Sequence, residues 1–424
     1  MYDVIVVGGG AAGFYGAIHV VTRNPKLKVA IFERGKTVLG KVKVSGGGRC
    51  NVTHAEFDPS ALSQNYPRGQ KELLGPFHHY NCSDVMLFFQ ERNVPLKIEA
   101  DGRVFPKSDS SQTIIDCFLN ECKRLGISIL KNSSVQDIQK SDAILDGWRV
   151  TTMHKHYHCQ KLVVATGSNS KIWKQLEALG HTIIPPVPSL FTFNCLDDRI
   201  KGLQGLSTWA TIDIMPKSNY NPQIKIALKS QMQPAPLFSE VGSLLITHWG
   251  FSGPAVLKLS AWAAKTLHEM NYHFKIQINW LPEYNLSTTI GYLKEIKFLE
   301  ARKTVLKSNV FELPNRLWIR LAKTAGIPTR LKWADITKNQ IDALAKQLIE
   351  STFNIDGKST YKEEFVTAGG VDLKEINFKT FESQLLPNLY FSGEVINVDA
   401  ITGGFNFQNA WTGSYLAAKA IALG

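Results

Sequence analysis

Three consecutive glycines, at positions 8–10, interrupt an apolar pattern near the start of the chain. Residues 3–7 (DVIVV) form a β-branched run typical of a buried strand, and residues 11–21 continue with a helical composition. A second apolar run, 28–32, follows that helix. This order predicts a strand, turn, helix and strand spanning about 30 residues, which is one nucleotide-binding half of a Rossmann-like sheet.

The glycines of this turn have the spacing G-x-G-x-x-G. Gly8 permits the tight turn, Gly10 lets the main chain approach a pyrophosphate, and Gly13 lets the helix pack closely on the strand. Glu33 ends the second strand and is expected to hydrogen-bond a ribose hydroxyl, which disfavours a 2′-phosphate at this position. The alternative is a purely structural turn. The cofactor-binding residues predicted here are Gly8, Gly10, Ala11, Ala12, Gly13, Glu33 and Arg34.

A second glycine-rich segment, SGGGRCN, occupies residues 45–51. Such a backbone can surround an anion or a flat ring. We expect Arg49 to neutralise a pyrophosphate and Asn51 to hydrogen-bond the edge of a heterocycle, while Lys41 either assists or is a surface residue. A solvated loop is the alternative. The predicted cofactor-binding residues are Lys41, Ser45, Gly46, Gly47, Gly48, Arg49 and Asn51.

Two further glycine motifs follow predicted strands, one in the middle of the chain and one near its end. The later one precedes the last predicted helix, near 408–422, and amides at a helix N-terminus favour the negative charge of a reduced flavin. A capped helix that only packs is the alternative. The predicted binding residues are Ala165, Thr166, Gly167, Gly393, Glu394, Gly404, Phe405 and Asn406.

The chain has 424 residues, of which 44% are hydrophobic, so it is long enough for more than one domain. No stretch is apolar enough to span a membrane, and Asp3 within the first predicted strand argues against a secretory leader, so we expect a cytoplasmic protein. Six cysteines without a C-x-x-C pair indicate neither disulfides nor a zinc site. The net charge of +12 favours anionic partners, but dispersed basic residues make nucleic acid the less favoured one.

The segment Pro185-Pro186-Val187-Pro188 is expected to end both sheet and helix, and we place a domain exit there. The pattern predicts mostly short strands up to residue 285 and helices from there to 352. A glycine-rich pattern of strands and turns returns at 365. The predicted organisation is a first segment of the nucleotide-binding domain (1–188), an inserted β-rich domain (189–285, completed by 353–364), an inserted helical subdomain (286–352) and a last segment of the nucleotide-binding domain (365–424).

Taken together, these motifs resemble one bacterial family. Besides SGGGRCN, the chain carries DGRVFP (101–106), THWGFSGP (247–254), TAGGV (367–371), and GEVINVD (393–399) followed by TGGFN (402–406). They resemble the BaiN/RdsA-type NAD(P)/FAD-dependent oxidoreductases, which belong to the flavoproteins with two dinucleotide-binding folds and include aminoacetone oxidase. The resemblance extends from residue 3 to about 420.

The resemblance implies an α/β fold of the glutathione-reductase-like class, in which a Rossmann-like FAD-binding domain is interrupted by a β-barrel-like part and a helical part. It implies tightly bound, non-covalent FAD and NAD(P)H as a transient donor. The glycine motifs above match the family's adenosine, pyrophosphate and isoalloxazine segments. Gly40 departs from the pattern, since many relatives have arginine there, and this puts a second cationic contact in doubt.

Candidate catalytic side chains are fewer than candidate cofactor-binding residues, because a flavin itself accepts and donates hydride. His248, in the THWGFSGP loop, is a candidate acid or substrate anchor, with a structural loop residue as the alternative. Arg103 is a candidate for binding an anionic substrate, or it pairs with Asp101. No metal site is predicted.

The sequence therefore predicts an FAD-dependent oxidoreductase in which the flavin mediates hydride transfer between NAD(P)H and/or a small organic substrate. The resemblance implies reduction of a C=C bond beside a carbonyl or oxidation of a small amine by oxygen, and the residues do not choose between these reactions. The alternatives are a tRNA-modifying flavoprotein and a non-catalytic flavin-binding sensor. The oligomeric state is not predicted.

Overall fold

The structure, a computed structural model, describes residues 1–216, 235–359 and 366–424. The described residues divide into two compact units. One unit contains residues 1–189 and 366–424, and the other contains residues 190–359. The predicted boundary between residues 364 and 365 lies outside the described residues.

The first unit is an α/β domain built from two separate stretches of chain. Strands and helices are numbered along the whole chain. Its strands are β1 (Tyr2–Val7), β2 (Val29–Phe32), β3 (Thr53–His54), β4 (Leu96–Ile98), β5 (Arg103–Pro106), β6 (Ser128–Leu130), β7 (Val135–Lys140), β8 (Trp148–Thr152), β9 (His156–Val164), β10 (Ile183–Ser189), β18 (Val366–Val371), β19 (Ile376–Asn377), β20 (Glu382–Ser383) and β21 (Leu389–Phe391). Its helices are α1 (Ala11–Arg23), α2 (Gly40–Gly48), α3 (Pro59–Ser63), α4 (Gln70–His79), α5 (Cys82–Gln90), α6 (Ser111–Arg124), α7 (Ser170–Ala178) and α13 (Phe405–Leu423).

A parallel sheet in the order β21-β9-β1-β2-β6 forms the centre of this unit. In its middle, Val6 lies opposite Ile31 on one side and Val163 on the other, and all three are buried. Such continuous apolar strands are typical of a parallel sheet covered on both faces. Helices α1 and α13 pack on each other, and the Ser414 hydroxyl donates to the Ala12 carbonyl at 2.8 Å. The C-terminal helix therefore completes the domain that β1 begins.

The proline-rich segment forms a strand, contrary to the prediction that sheet and helix end there. Residues 183–189 form β10, which pairs antiparallel with β18 in a two-stranded sheet. The register shifts between Ile184 and Val187, so Pro185 and Pro186 lie in an irregularity where no ladder donor is required. A strand with one partner tolerates proline in this way, and the expectation that the sheet ends at these prolines was wrong.

The second unit contains an antiparallel barrel with helices beside it. Its strands are β11 (Thr192–Asn194), β12 (Ser207–Met215), β13 (Phe238–Ile246), β14 (Gly250–Ser252), β15 (His273–Asn279), β16 (Ser351–Asp356) and β17 (Lys358–Ser359). Its helices are α8 (Pro254–Trp262), α9 (Ala264–Glu269), α10 (Leu286–Leu299), α11 (Asn315–Thr324) and α12 (Lys338–Ile349).

Closure of the barrel depends on one bent strand. Only Gly357, with φ +100°, separates β16 from β17, so the two act as one strand. β16 pairs with β15, and β17 pairs with β11. From β11 the pairing continues through β14, β13 and β12 back to β15, which closes the circuit.

The helical part shares a hydrophobic core with this barrel. Ile212 and Phe251 of the barrel belong to the same buried cluster as Trp318 and Leu344 of the helices. The predicted capping box forms at the start of α12, where the Thr337 and Gln340 side chains each accept from the other's main-chain N–H. The predicted fold class, an interrupted Rossmann-like domain with a barrel-like part and a helical part, is confirmed. Among helices in the described ranges, none has the length and apolar character that crossing a membrane requires.

One histidine of the first unit is buried among aromatic rings. His19 of α1 packs against Tyr15 and Phe88, with ring centroids 4.6 and 5.1 Å away. Neither ring nitrogen has a hydrogen-bond partner among the described residues. Burial, with smaller contributions from Arg23 and Arg92, lowers the pKa of His19 from 6.5 to about 3.

We predict that replacing His19 with phenylalanine removes part of the acid sensitivity. Below the ordinary pKa of 6.5 the unfolded chain binds a proton at His19 that the folded chain rejects until about pH 3, so stability falls as pH falls through this range. The contribution is roughly 1.4 kcal/mol per pH unit. Denaturant titrations between about pH 7 and 4 should show that the free energy of unfolding of His19→Phe increases relative to that of the wild type as pH falls. The exposed His154→Phe control should run parallel to the wild type, and an equal slope for His19→Phe would contradict the prediction.

Candidate cofactor-binding site

The first glycine turn is a close contact between three main-chain segments. Gly8 has φ +120°, and a Cβ there would lie 2.2 Å from the carbonyl oxygen of Ala165. A Cβ on Gly13 would lie 1.9 Å from the Gly8 carbonyl oxygen. A Cβ on Gly10, in contrast, would meet no atom within 4 Å. Gly8 and Gly13 are therefore required by the fold itself, whereas Gly10 leaves open space at the start of α1.

That open space adjoins a helix N-terminus. The first main-chain bond within α1 runs from Phe14 N–H to the Gly10 carbonyl at 3.1 Å, so the amides of Ala11, Ala12 and Gly13 precede the helical ladder. First-turn amides together with the helix dipole make this position suitable for an anion. The geometry fits the predicted pyrophosphate contact.

Glu33 is held against the same turn. Its carboxylate accepts from the Gly9 amide at 3.0 Å and from the Gly35 amide at 2.7 Å. These bonds fix the carboxylate beside the glycine loop, where a ribose contact was predicted. Arg34 follows Glu33 with an exposed side chain.

The SGGGRCN segment breaks helix α2. Ser45 is extended, and Gly46, Gly47 and Gly48 have φ of +57°, +68° and +86°. A Cβ on Gly47 or Gly48 would meet nothing within 4 Å. This half-open loop is the kind of backbone that can surround a ligand.

Arg49 is already paired in the structure. Its guanidinium donates to Glu99 at 2.6 Å and lies over the Phe105 ring, 3.9 Å from the centroid. Glu99 holds it most strongly, and this raises the pKa of Arg49. Neutralisation of a pyrophosphate by Arg49 stays a prediction, and it would require this pair to be shared or broken.

Asn51 brings the second motif to the last one. The residue is 8% exposed, and its Oδ1 has no hydrogen-bond partner among the described residues. A Cβ on Gly404 would lie 2.9 Å from this oxygen. A buried amide oxygen without a partner is costly unless a ligand donates to it. Asn51 therefore has the property expected of a ligand contact.

The middle and late motifs meet at the ends of β9 and β21. A Cβ on Gly393 would lie 3.2 Å from the Ala12 Cβ, and a Cβ on Gly167 would lie 3.5 Å from Glu394 Oε2. Glu394 forms an ion pair with Lys41. Thr166 has a buried hydroxyl without a partner among the described residues. The predicted residues of four distant sequence segments thus converge at one edge of the parallel sheet.

Side-chain contacts hold the first turn of α13 and the loop that precedes it. Phe405 stacks on His54 with centroids 4.5 Å apart, and the Tyr66 hydroxyl donates to the Phe405 carbonyl at 2.6 Å. The Asn406 side chain binds the Ala400 amide and carbonyl at 3.0 and 3.1 Å. Asn406 thereby closes the preceding loop, and its amide is occupied by main chain.

A buried ion pair that the sequence analysis missed supports this loop. Arg68 pairs with Asp399, whose side chain is fully buried and also accepts from the Ser189 hydroxyl at 2.7 Å. Burial raises the pKa of Asp399, and Arg68 opposes the shift. Asp399 ends the GEVINVD motif and thus carried a signal, but nothing in the sequence around Arg68 identifies its partner 331 positions away.

The two catalytic candidates lie in different units. Arg103 donates to Asp101 at 2.7 Å, which corresponds to the simple pairing considered for it. His248 is exposed in the turn between β13 and β14. Neither role is tested by these contacts, and both stay predictions. All six cysteines are free and buried, and the described residues contain no group of three or more His, Cys, Asp or Glu able to hold a metal ion.

The combined geometry fits an FAD molecule. The α1 N-terminus suits the pyrophosphate, Glu33 the ribose, and the open glycines with Asn51 a ring system. The profile of the family described as HI0933-like protein Rossmann domain matches residues 2–420. The chain belongs to this family. This confirms the resemblance drawn from the motifs, and with it a flavoprotein of the FAD-dependent oxidoreductase class.

Three relatives match nearly the whole chain. A ribosomal RNA dihydrouridine synthase of Haemophilus influenzae is 31% identical over 99% of this chain and 98% of its own length. An Escherichia coli protein of the same name is 29% identical over 99% and 97%. A 3-dehydro-bile acid delta(4,6)-reductase of Clostridium scindens is 24% identical over 100% and 99%.

We predict that Gly10→Val yields folded protein without flavin. The added Cβ has no protein atom within 4 Å and lies in the open space at the start of α1. The valine side chain would therefore obstruct a ligand there without disturbing the fold. The measurement is flavin absorption of the purified protein, paired with thermal unfolding of the flavin-stripped protein. Gly75→Val, also at an open glycine but on α4, is the matched control and should retain flavin. Full flavin content in Gly10→Val would refute the prediction.

Asn51→Ala should separate cofactor binding from stability. It removes an amide oxygen that lacks a protein partner, so the flavin-free protein should be destabilised little. FAD affinity should fall by about 1 to 3 kcal/mol, the value of a buried hydrogen bond to a ligand. Calorimetric titration of stripped protein with FAD measures this. An unchanged Kd would show that the Asn51 side chain does not contact the cofactor.

Proposed function

We propose that this protein reduces a carbon–carbon double bond conjugated with a carbonyl group, and that its substrate is uracil in ribosomal RNA. The 31% identity to a ribosomal RNA dihydrouridine synthase, across almost the full length of both chains, carries the proposal. The net charge of +12 also suits a polyanionic substrate.

The chemistry is shared between the relatives' names. The C5=C6 bond of uracil is conjugated with the C4 carbonyl, and the double bonds of a delta(4,6) steroid ketone are conjugated with its carbonyl. Reducing either bond adds a hydride to the carbon distal to the carbonyl and a proton to a carbon on the conjugated path. One type of site can therefore serve both substrates, and differences in substrate choice would arise outside the reacting bond.

In this reaction the protein would hold the cofactor and the substrate in position and polarise the reacting groups. Bound FAD supplies hydride transfer between a donor and the substrate, and we propose NAD(P)H as that donor. The α1 amides would hold the pyrophosphate, and Glu33 would hold the ribose. Asn51 and the first turn of α13 would face the ring system, where helix amides favour negative charge.

A small-molecule reductase is the second candidate, supported by the 24% identity to the bile acid reductase. Small-amine oxidation, tRNA modification and a non-catalytic sensor remain as hypotheses from the sequence. The first two name different substrates and a sensor would turn over none, so substrate panels separate them.

The decisive experiment supplies flavin-loaded protein with NADH or NADPH and bacterial ribosomal RNA transcribed in vitro, which carries no dihydrouridine. We expect dihydrouridine in nucleoside digests analysed by mass spectrometry, and none with flavin-free Gly10→Val protein. Parallel reactions contain a tRNA transcript, a 3-oxo-4,6-diene steroid or aminoacetone. Product from the steroid and none from ribosomal RNA would overturn the proposal in favour of the second candidate.

A further inference from the structure

Half of the second unit's helical part is strongly basic. Residues 302–338 contain nine lysines and arginines but only two carboxylates, Glu312 and Asp335. The basic residues are spread over the segment, so no compact tract stands out in the sequence. They are Arg302, Lys303, Lys307, Arg316, Arg320, Lys323, Arg330, Lys332 and Lys338.

Folding brings the pieces of this segment together. Thr304 forms a β-bridge with Lys332, and the Trp333 amide donates to the Lys303 carbonyl at 3.0 Å. The Trp318 indole of α11 donates to the Val305 carbonyl, also at 3.0 Å. Residues 303–307, α11 and residues 331–333 are therefore neighbours.

Burial then separates the apolar residues from the cations. Leu317, Trp318 and Leu321 of α11 are buried, as is Trp333. On α11 the cations recur at i, i+4 and i+7 and so share one side of the helix. The exposed basic residues of the segment are Arg302, Lys303, Lys307, Arg316, Lys323, Arg330, Lys332 and Lys338.

Most of these cations have no acidic partner. Lys303 pairs with Glu300 at 2.5 Å. Arg316 and Arg320 donate to main-chain carbonyls, at Gly202 and in the 198–201 turn, which leaves their charge uncompensated. Within the described part of the chain no ion pair involves Arg302, Lys307, Lys323, Arg330, Lys332 or Lys338. Uncompensated like charges repel one another, and an anionic partner relieves that repulsion.

We infer that these exposed cations of residues 302–338, the 302–338 basic surface, dock the sugar-phosphate backbone of ribosomal RNA. The inference rests on the proposed function, because the relatives' names select RNA among polyanions. RNA presents one phosphate charge per nucleotide along an extended path, which suits cations spread over several neighbouring segments. Such contacts position the RNA and provide affinity without reading its sequence.

The test replaces three exposed lysines that have no ion pair in the described structure, as Lys307→Gln, Lys323→Gln and Lys332→Gln combined. All three belong to the second unit, whereas the predicted FAD-binding residues belong to the first. The matched control changes three exposed lysines elsewhere, Lys171→Gln, Lys174→Gln and Lys265→Gln, and has the same net charge. Both proteins should keep wild-type flavin absorption and thermal stability.

Binding of fluorescent ribosomal RNA transcript is measured from about 50 to 200 mM salt. The surface variant should bind about tenfold or more weakly, with a salt slope lower by about 2, since each lost phosphate contact removes roughly 0.7. The control should bind like the wild type. Equal weakening in both variants would overturn the inference, because total charge would then explain it. Binding by the surface variant at wild-type strength would also overturn it.

Two further readouts separate this inference from the proposed function. RNA binding that depends on the 302–338 basic surface, without dihydrouridine formation, would support the docking surface while rejecting the proposed reaction. Dihydrouridine formation at the wild-type rate by the surface variant, at RNA concentrations below the Kd, would do the opposite. Vesicles of anionic lipid are a second ligand, and binding to vesicles that depends on the basic surface, with no such binding to RNA, would overturn the inference.

Discussion

The first unit depends on main-chain segments approaching each other more closely than any side chain allows. At the end of β1, Gly8 lies against the Ala165 carbonyl and Gly13 against the Gly8 carbonyl, with no room for a Cβ at either position. This contact joins β1, α1 and the end of β9 into one rigid corner. That corner fixes the direction of the free amides of α1, so the same glycines that allow the fold also shape the position predicted to bind an anion.

The chain returns to this corner after a long insertion. Strands β10 and β18 pair where it leaves the first unit and where it re-enters, and β21 then adds to the sheet beside β9. Gly393 reaches Ala12, and Gly404 reaches Asn51, from more than 350 positions away. The site is thus a product of topology, because a sheet with β9 between β1 and β21 places the ends of all three strands at one edge.

Motifs with fixed spacing were predictable from the sequence because each acts locally. The glycine turn needs only its own strand and helix, and the capping box at Thr337 needs only three following residues. The Arg49–Glu99 and Arg68–Asp399 pairs were not predictable, since each joins residues that only the tertiary fold brings together. The prediction for the proline segment was wrong for a related reason. Proline lacks the main-chain N–H that a regular ladder needs, but an irregular strand with a single partner does not use the N–H groups at those positions.

Main-chain amides and charged side chains suit the two proposed ligands in different ways. In the first unit, two predicted contacts are already engaged, Arg49 by Glu99 and Lys41 by Glu394, whereas the main-chain amides in the first turn of α1 suit a phosphate. In the second, the 302–338 basic surface carries cations without acidic partners in the described structure. Amides bind a phosphate at short range and fixed geometry, whereas exposed lysines and arginines attract polyanions over about 10 Å and tolerate many geometries. Holding a cofactor in one position and capturing a large RNA from solution, as we propose, make opposite demands, and the two proposed sets of residues belong to separate units.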